Sequence, residues 1–441
     1  MASPPLVRIA VRSVRKHARH SAGTILAIAV GFVAVVVFDG YLAFLQQDQI
    51  ESVGERMMLR DVIIERPDAD AARYSGRPYE DSILREQEQA FLDAYLASHA
   101  SEISVRARCL YTWGSASTGR SSAAFLSAGY DIAEGAKLRG RFSWDALAGR
   151  PLKGDEESAV LLGRGLGALL DCEPEGSPPV FGKDGNPIAV ERPLKCRSPR
   201  VQLVANTATG RLNAIDASIV GLVDGAIIEY DSKYVSMSLA LAQRLVNTNA
   251  VSTYVVRLHD SSGRDGFAAA LQRAADAAGV SLVAMPWGEH AFAEESRRVV
   301  KVLDVYRAIV ATVVVLIAAL SVLTTMAKSV NERTREIGTL RSLGFLQRHV
   351  VTLFALEAAF LALVGTVVGA GLSLVVTLLV NHAGIVYDAG ILSVPISAKV
   401  AVRPDTYLVS AVFLATLAAL AAVFPARHAA ASSIPDALSH V

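Results

Sequence analysis

Four apolar stretches constrain this chain more than any other feature. The first runs from Ala22 to Phe38 and, past Asp39, on to Leu45. The second, Ala308 to Ala327, and the fourth, Thr406 to Ala426, hold no charge, and the third, Val350 to Val380, holds only Glu357. Each comes near the ~20 residues a helix needs to cross about 30 Å of hydrocarbon. A core helix of a soluble protein would be shorter and would keep a polar face. Charged residues make up 19% of the 441, and apart from Asp39 and Glu357 they lie between the apolar blocks. The expected fold is an α-helical membrane protein with transmembrane helices at 21–45, 308–327, 350–380 and 406–426. Basic residues before the first stretch also suit a signal peptide. No small-x-small cleavage site follows, and Phe38-Asp39-Gly40-Tyr41 is a poor substitute, so an uncleaved anchor is expected.

Lys and Arg beside the spans set their direction. Arg8, Arg12, Arg15, Lys16 and Arg19 precede the first, and Lys328, Arg333, Arg335, Arg341 and Arg348 lie between the second and third. Only Lys399 and Arg403 lie between the third and fourth. Both termini, the 328–349 segment and the 427–441 tail are therefore expected in the cytoplasm, and 46–300 and the short loop 381–405 outside. Within 1–20, Leu6, Val7, Ala10, Val11 and Val14 recur at helical spacing opposite the arginines, as in an amphipathic helix along the inner membrane surface. The basic residues serving only as a topology signal is the plainer alternative. A net charge of +1 gives no sign of nucleic-acid binding.

The large segment between the first two spans reads as an α+β domain. Asp61–Glu65 is a β-branched run, Asp81–His99 has helical spacing, and Ile103–Tyr111 alternates like a half-buried strand. The same order returns at Thr253–Leu258, Gly266–Ala278 and Ser281–Met285. One lobe made from about 46–112 and 251–290 is expected, with a second lobe of about 113–250 inserted in it. The insert carries short β runs at Val201–Ala205, Ala217–Leu222 and Ala226–Tyr230. Its Pro- and Gly-rich segment Glu173–Pro193 reads as an exposed loop. Cys172 and Cys196 flank that loop; they can pair in an oxidising compartment, or remain two thiols on separate strands. Residues 291–307 read as a helical stalk with Val299, Val300, Leu303 and Tyr306 on its apolar stripe.

No catalytic constellation, phosphate loop or metal motif is visible, so the chain is not expected to be an enzyme or to hold a metal. Acids within spans are functional candidates by default. Asp39 falls near the outer interface, where solvation accounts for it, and Glu357 is expected to pair with a neighbouring helix. Gly365, Gly369 and Ser373 recur at four-residue spacing, which permits close helix approach within the chain or between subunits, and Gly371 adds flexibility to this packing region.

The segment between the second and third spans reads Asn331-Glu332-Arg333-Thr334-Arg335-Glu336-Ile337-Gly338-Thr339-Leu340-Arg341-Ser342-Leu343-Gly344-Phe345. As physics it is a short charged surface helix with an Ile337/Leu340 apolar edge. It resembles the coupling-helix signature of the permease family that includes MacB, FtsX and the lipoprotein-releasing pair LolC and LolE, Glu-Arg-Thr-Arg-Glu-Ile-Gly-x-Leu-Arg-x-x-Gly. The resemblance extends over Leu353–Gly371, Pro425-Ala426 and Ile434-Pro435-Asp436-Ala437-Leu438. Span order and the domain after the first span agree with it.

The resemblance implies a Porter lobe with an inserted Sabre-like lobe, in a bacterial inner membrane with the large domain periplasmic. It implies that Glu332, Arg333, Thr334, Arg335, Glu336, Ile337, Gly338, Leu340 and Arg341 dock an ABC ATPase, which binds the ATP and Mg. Two permease chains, alike or different, would pair within the lipid bilayer. The lipoprotein-releasing branch fits size and domain order best, and Gly163-Arg164-Gly165-Leu166 and Asp231–Leu245 also look like it. Lipoprotein release is therefore the first expectation, with a periplasmic lipoprotein carrier or an adaptor as a further partner. MacB-like export of peptides or drugs from the periplasm, and FtsX-like signalling to a cell-wall enzyme, are the alternatives.

Overall fold

The computed structural model describes residues 18–67, 69, 79–140, 146–154, 156–176, 192–225, 227–387, 390 and 395–431. Most of the expected interfacial helix, most of Glu173–Pro193, and Ile434–Leu438 lie outside the described residues.

The first helix, α1, runs over Ala18–Arg56. Residues 47–299, with 386–397, form one compact α+β unit. In chain order it contains β1 (Val62–Glu65), α2 (Glu86–Ser98), β2 (Ile103–Ser117), β3 (Ser122–Tyr130), α3 (Ile132–Arg139), β4 (Ala146–Gly149), β5 (Ala159–Gly163) and α4 (Arg164–Leu169). There follow β6 (Cys172–Pro174), β7 (Leu194–Cys196), β8 (Arg200–Asn206), β9 (Leu212–Val223), α5 (Ile228–Asp231), β10 (Tyr234–Ser238), α6 (Leu239–Val246), β11 (Thr253–Leu258), α7 (Arg264–Ala278) and β12 (Val283–Pro286).

Ten of these strands make a single mixed sheet, in the order β12-β1-β11-β2-β3-β10-β5-β9-β4, with β8 against β2 and β9. The two expected lobes are thus joined: their border at 112/113 falls inside β2, whose first half pairs with β11 and whose second half pairs with β3 and β8. The odd residues Val105, Ala107 and Cys109 enter one apolar cluster with Leu138 and Tyr234. The even residues Leu110 and Ala116 enter another with Leu92, Leu96, Phe267 and Leu271. This is the period-two alternation of a sheet covered on both faces. On α7, Phe267, Ala268, Leu271 and Ala275 are buried at helical spacing, and Gly279, at φ +67°, ends the helix.

Of the expected strand at Ala226–Tyr230, Ile228–Tyr230 lie instead in a helical turn, α5. The reason is Asp231, whose carboxylate accepts the N–H groups of Gly225 (2.7 Å), Gly165 (2.6 Å) and Arg164 (3.2 Å). The Gly225 contact closes the chain over six residues, which an extended strand cannot do, and the other two amides hold the turn against the start of α4. Burial pushes the Asp231 carboxyl up from its ordinary pKa, against the pull of those donors.

Cys172 and Cys196 are opposite each other on β6 and β7 and are joined, while Cys109 is a buried thiol. Converting both to serine is expected to destabilise the domain by about 3 kcal/mol, from the loop entropy returned to the unfolded chain. A denaturant midpoint of the solubilised chain that does not move would refute this.

The second unit comprises 1–46, 300–385 and 398–441. It includes α8 (Ala291–Glu332), α9 (Thr334–Ser342), α10 (Gln347–Ala383) and α11 (Pro404–Ala431). Among the described residues, four helices are long and apolar enough to cross a membrane: Ala22–Gln47, Arg297–Glu332, Gln347–Ala383 and Pro404–Ala431. Helix α8 absorbs the expected stalk without a break, and α11 continues through Pro425 to Ala431. Their shared core is Ile28 and Phe32 of α1, Val322 of α8, Leu361 of α10 and Ala418 of α11, among others. Large apolar residues on other faces are open, such as Leu316 (57%), Val367 (66%) and Phe424 (76%). In water such surfaces would aggregate; in a bilayer they meet lipid.

Gly365 and Gly369 of α10 lie against α1. A Cβ on Gly365 would sit 2.9 Å from the Ile28 side chain, and one on Gly369 would sit 2.9 Å from the Ala29 carbonyl oxygen. Ser373 is buried and bonds the Tyr407 hydroxyl at 2.9 Å. All three packing contacts are internal to the chain. Gly371 does not belong with them, because its Cβ would meet nothing within 4 Å. Two residues along a helix from Gly369 is the far side of the helix.

Candidate functional site

The charged motif folds into α9, set between the second and third apolar helices. Helix α8 stops at Glu332, and Arg333, with φ −112° and ψ 16°, turns the chain. The Thr334 hydroxyl donates to the Asn331 carbonyl (2.8 Å). The other end closes as a Schellman motif: Phe345 N–H bonds the Leu340 carbonyl (3.2 Å) and Gly344 N–H bonds that of Arg341 (3.0 Å). Gly344 has φ +94°, the left-handed conformation that costs glycine least, which is the physical reason for the last glycine of the motif.

The motif residues divide into two groups. Ile337, 2% exposed, packs with Val330, Val350, Phe354, Ala426 and Ala430, and Gly338 is buried beside it. Arg333 points inward too. Its guanidinium lies 3.0 Å and 3.2 Å from the two carboxylate oxygens of Glu357 on α10, 2.9 Å from Glu336, and 5.2 Å from the Phe354 ring centroid. Glu357 is 3% exposed, so a buried ion pair and a small apolar cluster hold α9 to its neighbours. Glu332, Arg335, Glu336 and Thr339 lie on the exposed side, and Thr334, Leu340 and Arg341 at the margin. Ile337 is therefore committed to the chain's own core and is not an open anchor for a partner. The apolar groups that are open here are Leu343 (73%) and Leu346 (50%). Their signal in the sequence is two leucines inside an otherwise charged segment.

A second polar cluster lies at the opposite ends of the apolar helices. Asp39 is 9% exposed rather than solvated. Its carboxylate lies 3.1 Å from Arg307 of α8 and accepts the Thr406 hydroxyl of α11 at 2.8 Å. Gln46 bonds Asp304 (3.1 Å) and Arg307 (3.3 Å), so α1, α8 and α11 are tied at this level. Asp39, Arg307 and Thr406 border a cleft of about 340 Å³ that also includes Arg403 and Asp405. Sequence reasoning placed Asp39 but not Arg307 or Thr406, which are remote in the chain. Among the described residues no group of three His, Cys, Asp or Glu could hold a metal ion.

In the α+β domain, Gly163-Arg164-Gly165-Leu166 forms the β5–α4 turn, with Arg164 and Gly165 donating to Asp231 and Leu166 fully buried. Helix α1 ends at Arg56, whose guanidinium is buried against Asp224.

Comparison with known proteins gives the following. Residues 308–434 match the family FtsX-like permease C-terminal. The macrolide export ATP-binding/permease protein MacB of Neisseria gonorrhoeae is 34% identical over 73 residues, 17% of this chain and 11% of that protein. The ABC transporter permease YtrF of Bacillus subtilis is 29% identical over 136 residues, 29% of this chain and 30% of that protein. The chain thus spans less than a third of the length of these relatives. Among solved structures, the periplasmic region of MacB from Actinobacillus actinomycetemcomitans is similar at a TM-score of 0.33 and 14% identity, covering 52% of this chain and 89% of that one. The extracellular domain of the ABC-type transporter YknZ from Gram-positive bacteria is similar at 0.32 and 10%, covering 51% and 98%.

Proposed function

We propose that this chain is the membrane subunit of an ABC-type complex, a permease that takes force from a separate ATPase at α9 and uses it to move its α+β domain on the far side of the membrane. The observation that carries the reading is α9 itself. A loop that only fixed topology would need positive charge but no seat. Here a charged helix is anchored by Arg333–Glu357 and Ile337 while Glu332, Arg335 and Glu336 are presented outward. A rigidly seated helix transmits a push to α8 and α10, where a floppy loop would absorb it.

In this reading ATP and Mg belong to the partner, and this chain contributes no catalytic group. Both termini and α9 face the cytoplasm, and the α+β domain faces the periplasm. A second permease chain covers part of the open apolar surface and lipid covers the rest. For the substrate, the match to MacB favours export of a compound gathered outside the membrane. Lipoprotein release, to which size and domain order point, stands behind it. Signalling to a cell-wall enzyme would use the same motion.

Arg335→Glu tests the docking face without touching the seat, since Arg335 is exposed whereas Glu336 bonds Arg333. Exposed ion pairs contribute about 0–1 kcal/mol to folding, so Tm should hold. At a desolvated interface a lost charge partner costs about 2–5 kcal/mol, so co-purification of the ATPase should fall at least tenfold. Unchanged co-purification and transport would remove α9 from the mechanism.

A further inference from the structure

Among the described residues, half of β2 has an open edge. Cys109 pairs with Thr253 of β11 and with Tyr130 of β3, so those strands lie on opposite edges of β2. β11 accompanies β2 from Ile103 to Cys109, but β3 does so only from Cys109 onward, because after Tyr130 the chain turns into α3. From Ile103 to Arg108, no strand among the described residues lies along the β3 edge. The Cys109 carbonyl accepts Ser252 N–H (2.8 Å) on the β11 side. Backbone groups alternate along an antiparallel strand, so those of Arg108 and Arg106 point to the open edge.

Natural proteins usually cover such edges or blunt them, since an unpaired row of N–H and C=O groups templates another strand. Here the edge floors a groove of about 830 Å³. Asp93, Leu96 and Ala97 of α2 form one wall, and Asp131 and Glu134 at the start of α3 form the other. Six residues of strand span about 20 Å, enough for a short extended segment. Arg106 and Arg108 are two positions apart and therefore share a face, and both are exposed, while Val105 and Ala107 between and before them are buried. Among the described residues the ion pair of Arg106 is a loose one, to Asp93 at 4.0 Å, with both side chains half exposed (51% and 52%).

We propose that an extended segment of a partner polypeptide adds to β2 in this groove as a further strand, with acidic side chains at alternate positions facing Arg106 and Arg108. Main-chain hydrogen bonds to β2 supply affinity and the two arginines supply register, the division of labour seen wherever peptides extend a sheet. Opposite charges directly across a strand pair are favourable, and like charges are not. The proposal rests on the α+β domain alone and stands or falls separately from the transport reading.

The test uses the full solubilised chain and a fluorescent, end-blocked peptide of alternating Glu and Thr, followed by anisotropy. Two N-methylated versions carry the methyl groups on alternate amides, one on each register. Binding of the parent peptide is expected, with loss in one methylated register and retention in the other, because only one set of amides faces β2. The double variant Arg106→Gln with Arg108→Gln, both at exposed positions, should bind about tenfold more weakly, as should an alternating Lys-Thr peptide on the native chain. Far-UV circular dichroism and Tm confirm that the variant is folded. No binding of the parent peptide at millimolar concentration, equal behaviour of the two methylated registers, or equal binding of the Lys-Thr peptide would each overturn the proposal.

Discussion

Glu357→Ala is expected to be among the most damaging single substitutions in this chain. It removes the carboxylate that faces the Arg333 guanidinium at 3.0 Å and leaves that guanidinium 11% exposed beside the Phe354 ring. Breaking a buried ion pair by deleting one partner costs about 3–5 kcal/mol; Arg333 keeps Glu336 at 2.9 Å, a half-exposed partner, which puts the expected cost at about 3 kcal/mol, the low end of that range. Removing both charges is different. Well-packed apolar replacements of a buried pair are often neutral or stabilising, so Arg333→Met with Glu357→Leu should recover most of the lost stability. It should not recover coupling if the pair also fixes the angle of α9. Thermal unfolding of the solubilised chain gives the first quantity, and ATPase stimulation in the reconstituted complex gives the second. A double variant as unstable as Glu357→Ala would mean that Glu357 acts by something other than its charge partner.

The second large effect is expected at Gly369, with Gly371 as its control. A leucine at 369 must place its Cβ where the Ala29 carbonyl oxygen and the Phe32 Cβ now lie, 2.9 Å and 3.0 Å away. Helix backbone on α1 cannot give by rotating a side chain, so α1 and α10 must separate. Overpacking costs about 1–3 kcal/mol where side chains can adjust, and backbone contact puts this case at or above the upper end. Gly365→Leu should behave alike, against Ile28. Gly371→Leu enters open space, should change stability by less than about 0.5 kcal/mol, and replaces glycine with a better helix former. Equal Tm values for Gly369→Leu and Gly371→Leu would show that α1 does not pack on the Gly365–Ser373 stripe.

Much of this architecture was legible in the residues. The four apolar runs and their order have no other solution, because an uninterrupted apolar helix cannot be hidden from water in a chain of this composition. Strands β1, β8, β11 and β12 and helix α7 were found within a few residues, and β2 by its first nine, since period-two and period-3.6 burial is written directly in local sequence. The position of α9 was equally plain from its run of alternating charge.

What periodicity cannot say is which neighbour a face will meet. It put Gly365, Gly369 and Ser373 on one stripe, but only the fold shows the two glycines against Ile28 and Ala29 and the serine against Tyr407. It put Gly371 nearby in number and so misjudged it. It could not divide the α9 motif into Arg333 and Ile337, turned in, and Arg335, turned out, because that choice depends on Glu357 and Phe354 a helix away. Asp39 seemed solvated because its partners, Arg307 and Thr406, lie hundreds of residues along the chain. The border drawn at 112/113 vanished into β2 for the same reason: sheet order is decided by long-range pairing, to which no local pattern testifies. Sequence determined which surfaces of this protein are apolar, charged or extended. Tertiary structure alone decided which of them meet, because contact energy depends on partners brought together from distant parts of the chain.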